Sequence, residues 1–345
     1  MSMMHASQVT SANATIVPPT ANLMRWVIIA TLPGIATMSY FFGLGVLSNV
    51  MLAAAFGLGL EAAILKLRNR PVRITLNDSS ALLTGVLLGV SLPPASPWWL
   101  IGVGMIAAII VAKQLYGGLG HNPFNPAMVG YALLLVSFPT YMTLWAPPQE
   151  LLPESLWAQI TGTLPAGQLD GLSGATPLDA FKHKGEAVLA SEFWATHPLP
   201  ESTLSAWRWV ALAWLAGGVL LLAKRIISWH IPAAMLGSLV VLATLFYLSD
   251  PSHFASPLFH LLTGATLFGA FFIATDPVSA ATSRRGKLLY GAGIGTLVII
   301  IRTFGGYPDA VAFAVLLMNL CVPLLDLYSV PRPTGQPKSS RGEQP

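Results

Sequence analysis

The densest group of residues able to do chemistry runs Asp170-Gly171-Leu172-Ser173-Gly174-Ala175-Thr176-Pro177-Leu178-Asp179. Its spacing reads as a helix start. Thr176 suits the N-cap, Pro177 the first helical position, and Asp179 approximates the far member of a capping box. Free N–H groups and the helix dipole at such a start favour an anion such as phosphate. Ser173 and Gly174 let the backbone turn tightly beneath it. Taken alone, the run fits a capped surface helix better than a binding site.

Other ionisable residues interrupt apolar runs: Glu61, Asp276, Arg302, Asp309 and Asp326. Such residues within membrane spans mark ion pathways. Asp276-Pro277 and Tyr307-Pro308-Asp309 read first as caps and turns. Asn122-Pro123-Phe124-Asn125-Pro126 reads as a turn between broken helices. His230 and His260 are the only histidines inside apolar runs, and they fall at opposite membrane faces, which argues against a bis-His haem. Cys321 is the sole cysteine. A Cys-ligated iron–sulfur cluster, a CxxC pair and an intrachain disulfide are excluded. No P-loop, dinucleotide-binding glycine turn or metalloprotease helix occurs in context, and no metal site is expected.

The elements that must position these residues follow from composition. The chain has 345 residues, 18 Lys and Arg, and 14 Asp and Glu. Only 9% of residues are charged and 54% are hydrophobic, against about 25% charged in a soluble domain. Mean hydropathy is +0.65. A soluble enzyme of this size could not hide that much apolar surface. The pI near 9.3 does not point to nucleic acid, because the basic residues sit in short loops between apolar runs. The chain reads as an all-α polytopic membrane protein embedded in a lipid bilayer.

Ten candidate spans are approximately 23–42, 44–65, 79–92, 97–116, 124–141, 207–223, 230–248, 257–275, 287–303 and 308–328. The third is short and ends at Pro93-Pro94, as a half-helix or re-entrant piece would. This gives an N-terminal tail (1–22), a first membrane half (23–141), a loop (142–206), a second half (207–328) and a C-terminal tail (329–345). The tail 1–22 carries no Lys or Arg and does not read as a cleavable signal peptide. The loop holds seven of the fourteen acids. With both termini in the cytoplasm, 14 of the 18 basic residues fall on the cytoplasmic side, and the loop 142–206 faces the periplasm. Lys113 counts among those 14. Leu82-Leu83-Thr84-Gly85 recurs as Leu261-Leu262-Thr263-Gly264. Gly117-Gly118 with Asn125-Pro126-Ala127 is echoed by Gly305-Gly306 with Pro308-Asp309-Ala310. Two inverted five-helix halves are one reading of this repeat, and chance likeness between Gly- and Leu-rich helices is the other.

Asp-x-x-Ser-Gly-Ala-Thr resembles the flavinylation motif of the Rnf and sodium-translocating NADH:quinone reductase families. In those families a transferase moves FMN from FAD onto the final threonine as a phosphoester. The resemblance implies that Thr176 is the acceptor and that Asp170, Ser173, Gly174 and Ala175 are its recognition context. Further runs resemble the RnfD family, the D component of Rnf (Rsx) complexes: Ala112-Lys113-Gln114-Leu115-Tyr116-Gly117-Gly118-Leu119-Gly120, Asn122 through Met128, Phe271 through Val278, and Phe304 through Asp309. They lie in both halves. The sister family, the B component of the quinone reductase, usually carries a longer N-terminal extension.

The resemblance implies a membrane flavoprotein component of a complex that couples ferredoxin and NAD redox chemistry to Na⁺ or H⁺ movement across the bacterial inner membrane. It implies covalent FMN here and the Rnf A, B, C, E and G components as partners, with the FMN transferase as a transient partner. A second, noncovalent flavin such as riboflavin is a further expectation, with Asn122 and Asn125 as possible hydrogen-bonding groups. Thr263-Gly264-Ala265-Thr266 is a rival acceptor. It has His260 in place of the Asp and lies in an apolar run, beyond easy reach of a soluble transferase. Lys182 and Lys184 stand as partners for a flavin anion or as solvated loop charges. Alternatives from other classes are a small-solute channel or transporter with a urea-transporter-like fold, and a redox-inert scaffold protein.

Overall fold

The computed structural model describes residues 20–145, 147–148, 161, 174–184, 188–196, 199–307 and 309–329. In the first half, α1 (Thr20–Phe42) and α2 (Gly45–Leu67) are long apolar helices. A short α3 (Val72–Leu76) leads to α4 (Ser80–Ser91). Next comes α5 (Trp98–Met105), continued as a π-helix over Ile106–Gln114. Then follow α6 (Pro126–Ser137) and α7 (Pro139–Thr143). Between the halves lie α8 (Pro177–Lys182) and α9 (Ala190–Ala195). The second half holds α10 (Glu201–Ala223), α11 (His230–Ser249), α12 (Pro257–Leu262) and α13 (Thr266–Phe268), the last continued as a π-helix over Gly269–Ile273. It ends with α14 (Arg284–Phe304) and α15 (Val311–Ser329).

Among the described residues, six helices (α1, α2, α10, α11, α14 and α15) are long and apolar enough to cross a bilayer. Among the described residues the only strand-like feature is the isolated bridge Trp145–Gly174. The fold is that of a polytopic membrane protein. Each half opens with two long helices, followed by a short or broken apolar segment and then further helices.

The broken segments have local causes. α4 has 12 residues, about 18 Å of helix, against a hydrocarbon core of about 30 Å. It stops before Pro93-Pro94, and the side chain of Asn49 donates to the Pro93 carbonyl at 2.8 Å. The expected continuous span 257–275 is interrupted. Thr263 is extended (φ −119°, ψ 155°) and Gly264 takes φ +64°, a left-handed conformation open to glycine. The N–H of Ala265 then donates to Asp309 Oδ2 at 2.7 Å, so the break leaves that donor satisfied.

The halves meet along α1 and α10. A Cβ at Gly217 would overlap the Ala30 carbonyl oxygen, and one at Gly34 would lie 2.5 Å from the Trp214 ring. These glycines allow close helix approach. Gly217→Val therefore forces α1 and α10 apart and lowers the melting temperature in detergent, whereas Gly59→Ala, with nothing within 4 Å of the added methyl, leaves it unchanged. A buried amide network also crosses the seam. Asn125 caps α6 by accepting from the Met128 N–H at 3.2 Å. Its own N–H donates to Asn319 Oδ1 at 3.1 Å, and Asn319 Nδ2 donates to the Tyr290 hydroxyl at 2.7 Å.

Candidate functional site

Thr176 is the N-cap of α8, as its sequence context predicts. Its Oγ1 accepts from the Asp179 N–H at 3.2 Å, and Pro177 occupies the first helical position. The side chain is half-buried, so the hydroxyl remains reachable. Gly174 is fixed by its N–H, which donates to the Trp145 carbonyl at 2.6 Å. Ala175 between them is exposed. Asp170 and Ser173 lie outside the described residues.

Thr176 stands on the wall of a cavity with ≈ 1060 Å³ of empty space including its open mouth. Both halves line it. Trp145, Tyr131 and Met128 come from the first half's end of the chain, and Trp207, Trp214 and Phe268 from the second. Trp145 packs edge-on against Trp207 at 5.2 Å between centroids, and Trp214 lies 4.6 Å from Phe268. Flat aromatic walls with few polar groups suit a planar heteroaromatic ring. Asp179 and Asp309 also reach the lining. The fit to a flavin rests on that shape and on the Thr176 hydroxyl at the wall, which serves as the helix cap.

Asp309 is held rigidly. Its Oδ1 accepts from Ala310 N–H at 2.8 Å and from Arg302 Nη2 at 3.1 Å. Arg302 is closed off from solvent, its side chain 1% exposed, and its Nη1 donates to the His260 carbonyl at 2.9 Å. Arg302 is thus a buried, paired charge. Thr266, the rival acceptor, is 0% exposed and donates to the same His260 carbonyl at 2.7 Å. No enzyme can reach it in the folded chain.

Lys182 and Lys184 do not line the cavity. Lys182 Nζ donates to the Arg302 carbonyl at 2.7 Å, and burial holds its pKa below the ordinary lysine value. Lys184 Nζ donates to the Val188 carbonyl at 2.8 Å and lies over the Phe181 ring.

The remaining ionisable residues separate into two kinds. Asp276 accepts from the Ser279 N–H and hydroxyl, at 3.1 and 2.6 Å, and closes a turn. Asp326 accepts from the Thr282 N–H and hydroxyl, both at 3.0 Å, and ties α15 to the segment before α14. Glu61 instead forms a buried ion pair. Lys113 Nζ lies 2.7 Å from Glu61 Oε1, and both side chains are 1% exposed. Ser80 Oγ accepts from the same ammonium at 2.7 Å, and Gln114 Nε2 donates to Glu61 at 2.8 Å. Lys113, counted on the cytoplasmic side at the end of the expected span 97–116, is buried and paired. Next to it a smaller cavity of ≈ 380 Å³ is lined by Asn122, Asn125 and Asp276. Asn122 Nδ2 donates to the Phe124 carbonyl at 3.0 Å, closing the expected turn.

The cavity's aromatic walls have no local signal in the sequence. Trp207 and Trp214, seven apart on α10, carry no mark separating them from outward-facing tryptophans such as Trp209, which is 60% exposed.

Comparison with known proteins agrees with this architecture. The model of the NQR2, RnfD, RnfE family matches residues 9–335. A protein of Alcanivorax borkumensis, named as the D subunit of an ion-translocating oxidoreductase complex, is 54% identical over 339 residues, covering 96% of this chain and 98% of the relative. Proteins of the same name from Marinobacter nauticus and Escherichia fergusonii are 52% and 51% identical. They cover 97% and 92% of this chain, and 97% and 95% of their own lengths. The chain belongs to the NQR2, RnfD, RnfE family.

Proposed function

We propose that this chain is the D component of an Rnf-type ion-translocating oxidoreductase complex and that it carries FMN esterified to Thr176. The carrying observation is a reachable Thr176 hydroxyl on the wall of an aromatic cavity between the two halves. Attachment breaks the pyrophosphate bond of FAD, releases AMP and joins phosphorus to Thr176 Oγ1, whose proton is lost. Bound FMN supplies the electron-accepting and electron-donating chemistry; the protein supplies the tether, orientation and electrostatics.

This chain's own residues define the rest. The aromatic side chains of Trp145, Trp207, Trp214 and Phe268 exclude water from the ring's resting place. Asp309, already neutralised by Arg302, adds little net negative charge beside a group that becomes anionic on reduction. Asp170 and Ser173 belong to the surface that the transferase reads. The complex moves Na⁺ or H⁺ across the bacterial inner membrane, with both termini cytoplasmic and loop 142–206 periplasmic. The Rnf A, B, C, E and G components complete it. A second, noncovalent flavin belongs to the same reading, near Asn122 and Asn125.

Peptide mass mapping of the chain co-expressed with its transferase tests the assignment. The expected result is one peptide, the one containing Thr176, heavier by an FMN phosphoester. An unmodified Thr176 peptide, with the transferase active on a control substrate, overturns it and favours the transporter reading.

A further inference from the structure

Thr176 lies on a short strap tied on one side to Trp145, which packs on Phe42 and Trp207 at the seam, and on the other side to the second half. On one side, Gly174 N–H donates to the Trp145 carbonyl, and Trp145 packs on Phe42 at 5.9 Å. On the other side, α8 is seated on the second half at three points. A Cβ at Gly264 would overlap Leu178 Cδ1, so the bare glycine at the break in the helix is the socket for Leu178. The Phe181 ring packs on Phe259 of α12 at 5.5 Å and on Phe193 of α9 at 5.4 Å. Lys182 Nζ reaches the Arg302 and Ile301 carbonyls, at 2.7 and 3.5 Å. Both carbonyls sit in the last turn of α14, where a lysine is favoured; that of Ile301 also accepts from the Gly305 N–H at 2.8 Å.

Resting on the FMN reading above, we propose that Lys182 and Gly264 are positioning residues that hold Thr176, and the flavin it carries, over the cavity at the seam. Thr176 caps one end of α8 and Lys182 is its last residue. Six helical residues span about 9 Å, so the helix acts as a stiff lever. Release at Lys182 or displacement at Gly264 moves the Thr176 end. The Gly264 site is unforgiving for a second reason. Asp309 Oδ2 and Arg302 Nη2 lie 2.9 and 3.0 Å from the position of an added methyl. An alanine there must move either Leu178 or the Arg302–Asp309 pair, and it must also adopt φ +64°.

The test uses the intact complex, co-expressed with the transferase, as wild type and as Lys182→Met, Lys182→Arg and Gly264→Ala. Flavin fluorescence on a denaturing gel reads attachment. Chymotryptic cleavage after Phe181 reads docking of α8 without reference to any flavin. Fluorescence anisotropy of the native complex and electron-transfer turnover read position. Lys182→Met and Gly264→Ala are expected to keep the covalent flavin, speed cleavage at Phe181, lower anisotropy and reduce turnover by up to about 100-fold, the scale of an ångström-sized misplacement. Lys182→Arg restores all four. Unchanged cleavage and anisotropy in both Lys182→Met and Gly264→Ala overturn the positioning role. A wild-type band without fluorescence overturns the FMN reading instead, and cleavage at Phe181 then still decides whether the docking exists.

Discussion

If the proposed FMN ester is at Thr176, Thr176→Val is expected to remove the flavin fluorescence of the chain on a denaturing gel and to reduce electron transfer by the complex to background. Valine matches threonine in shape and branching but has no hydroxyl oxygen for phosphorus to bond. Thr176→Ser restores both signals, because serine offers an oxygen and caps a helix at least as well. The pair of variants separates chemistry from folding. Losing the cap costs about 0.5–2 kcal/mol, and α8 is six residues long and pinned at Leu178, Phe181 and Lys182. The valine chain is therefore expected in the membrane at normal abundance. Fluorescence that survives in Thr176→Val would move the acceptor elsewhere. Thr266 is a poor refuge, being fully buried and hydrogen-bonded to His260.

The second large effect concerns stability. Lys113→Met leaves the Glu61 carboxylate buried with Gln114 as its remaining hydrogen-bond partner among the described residues. Removing one member of a buried pair typically costs about 3–5 kcal/mol. Glu61→Gln strands the ammonium with Ser80 and the new amide oxygen, and costs a similar amount. The double variant Glu61→Gln/Lys113→Met removes both charges and is expected to recover most of the loss. Thermal unfolding of the four chains in one detergent gives the coupling energy directly. Strict additivity would show that the two groups do not stabilise each other, and the pair would lose its role as a structural charge.

Much of the membrane architecture was legible because it depends on bulk properties. Apolar runs of about 20 residues announce α1, α2, α10, α11, α14 and α15 with little ambiguity. Pro93-Pro94 announced the early end of α4. The break at Thr263–Gly264 was hidden, because Leu261-Leu262-Thr263-Gly264 stays apolar across it and a single φ decides the outcome. Thr176 was legible as a cap from Pro177 and Asp179 alone, since capping is local. The cavity was not, because it exists only where Trp145, Trp207 and Trp214 converge from separated parts of the chain. The Lys113–Glu61 pair was hidden for a related reason. Counting charges by membrane side cannot see a partner 52 residues away.

That separation bears on how the chain is made. Arg302 finds its carboxylate seven residues later, in Asp309, so the ribosome delivers both almost together. Glu61 must wait for Lys113 across 52 residues, with α3, α4 and most of the next segment synthesised between. At about 5–20 residues per second, the lone carboxylate spends several seconds without its counter-charge during insertion. Shelter within the insertion machinery has to cover that interval. Nascent chains stopped between α2 and α5 are the ones expected to slip, misorient or be cleared by quality control.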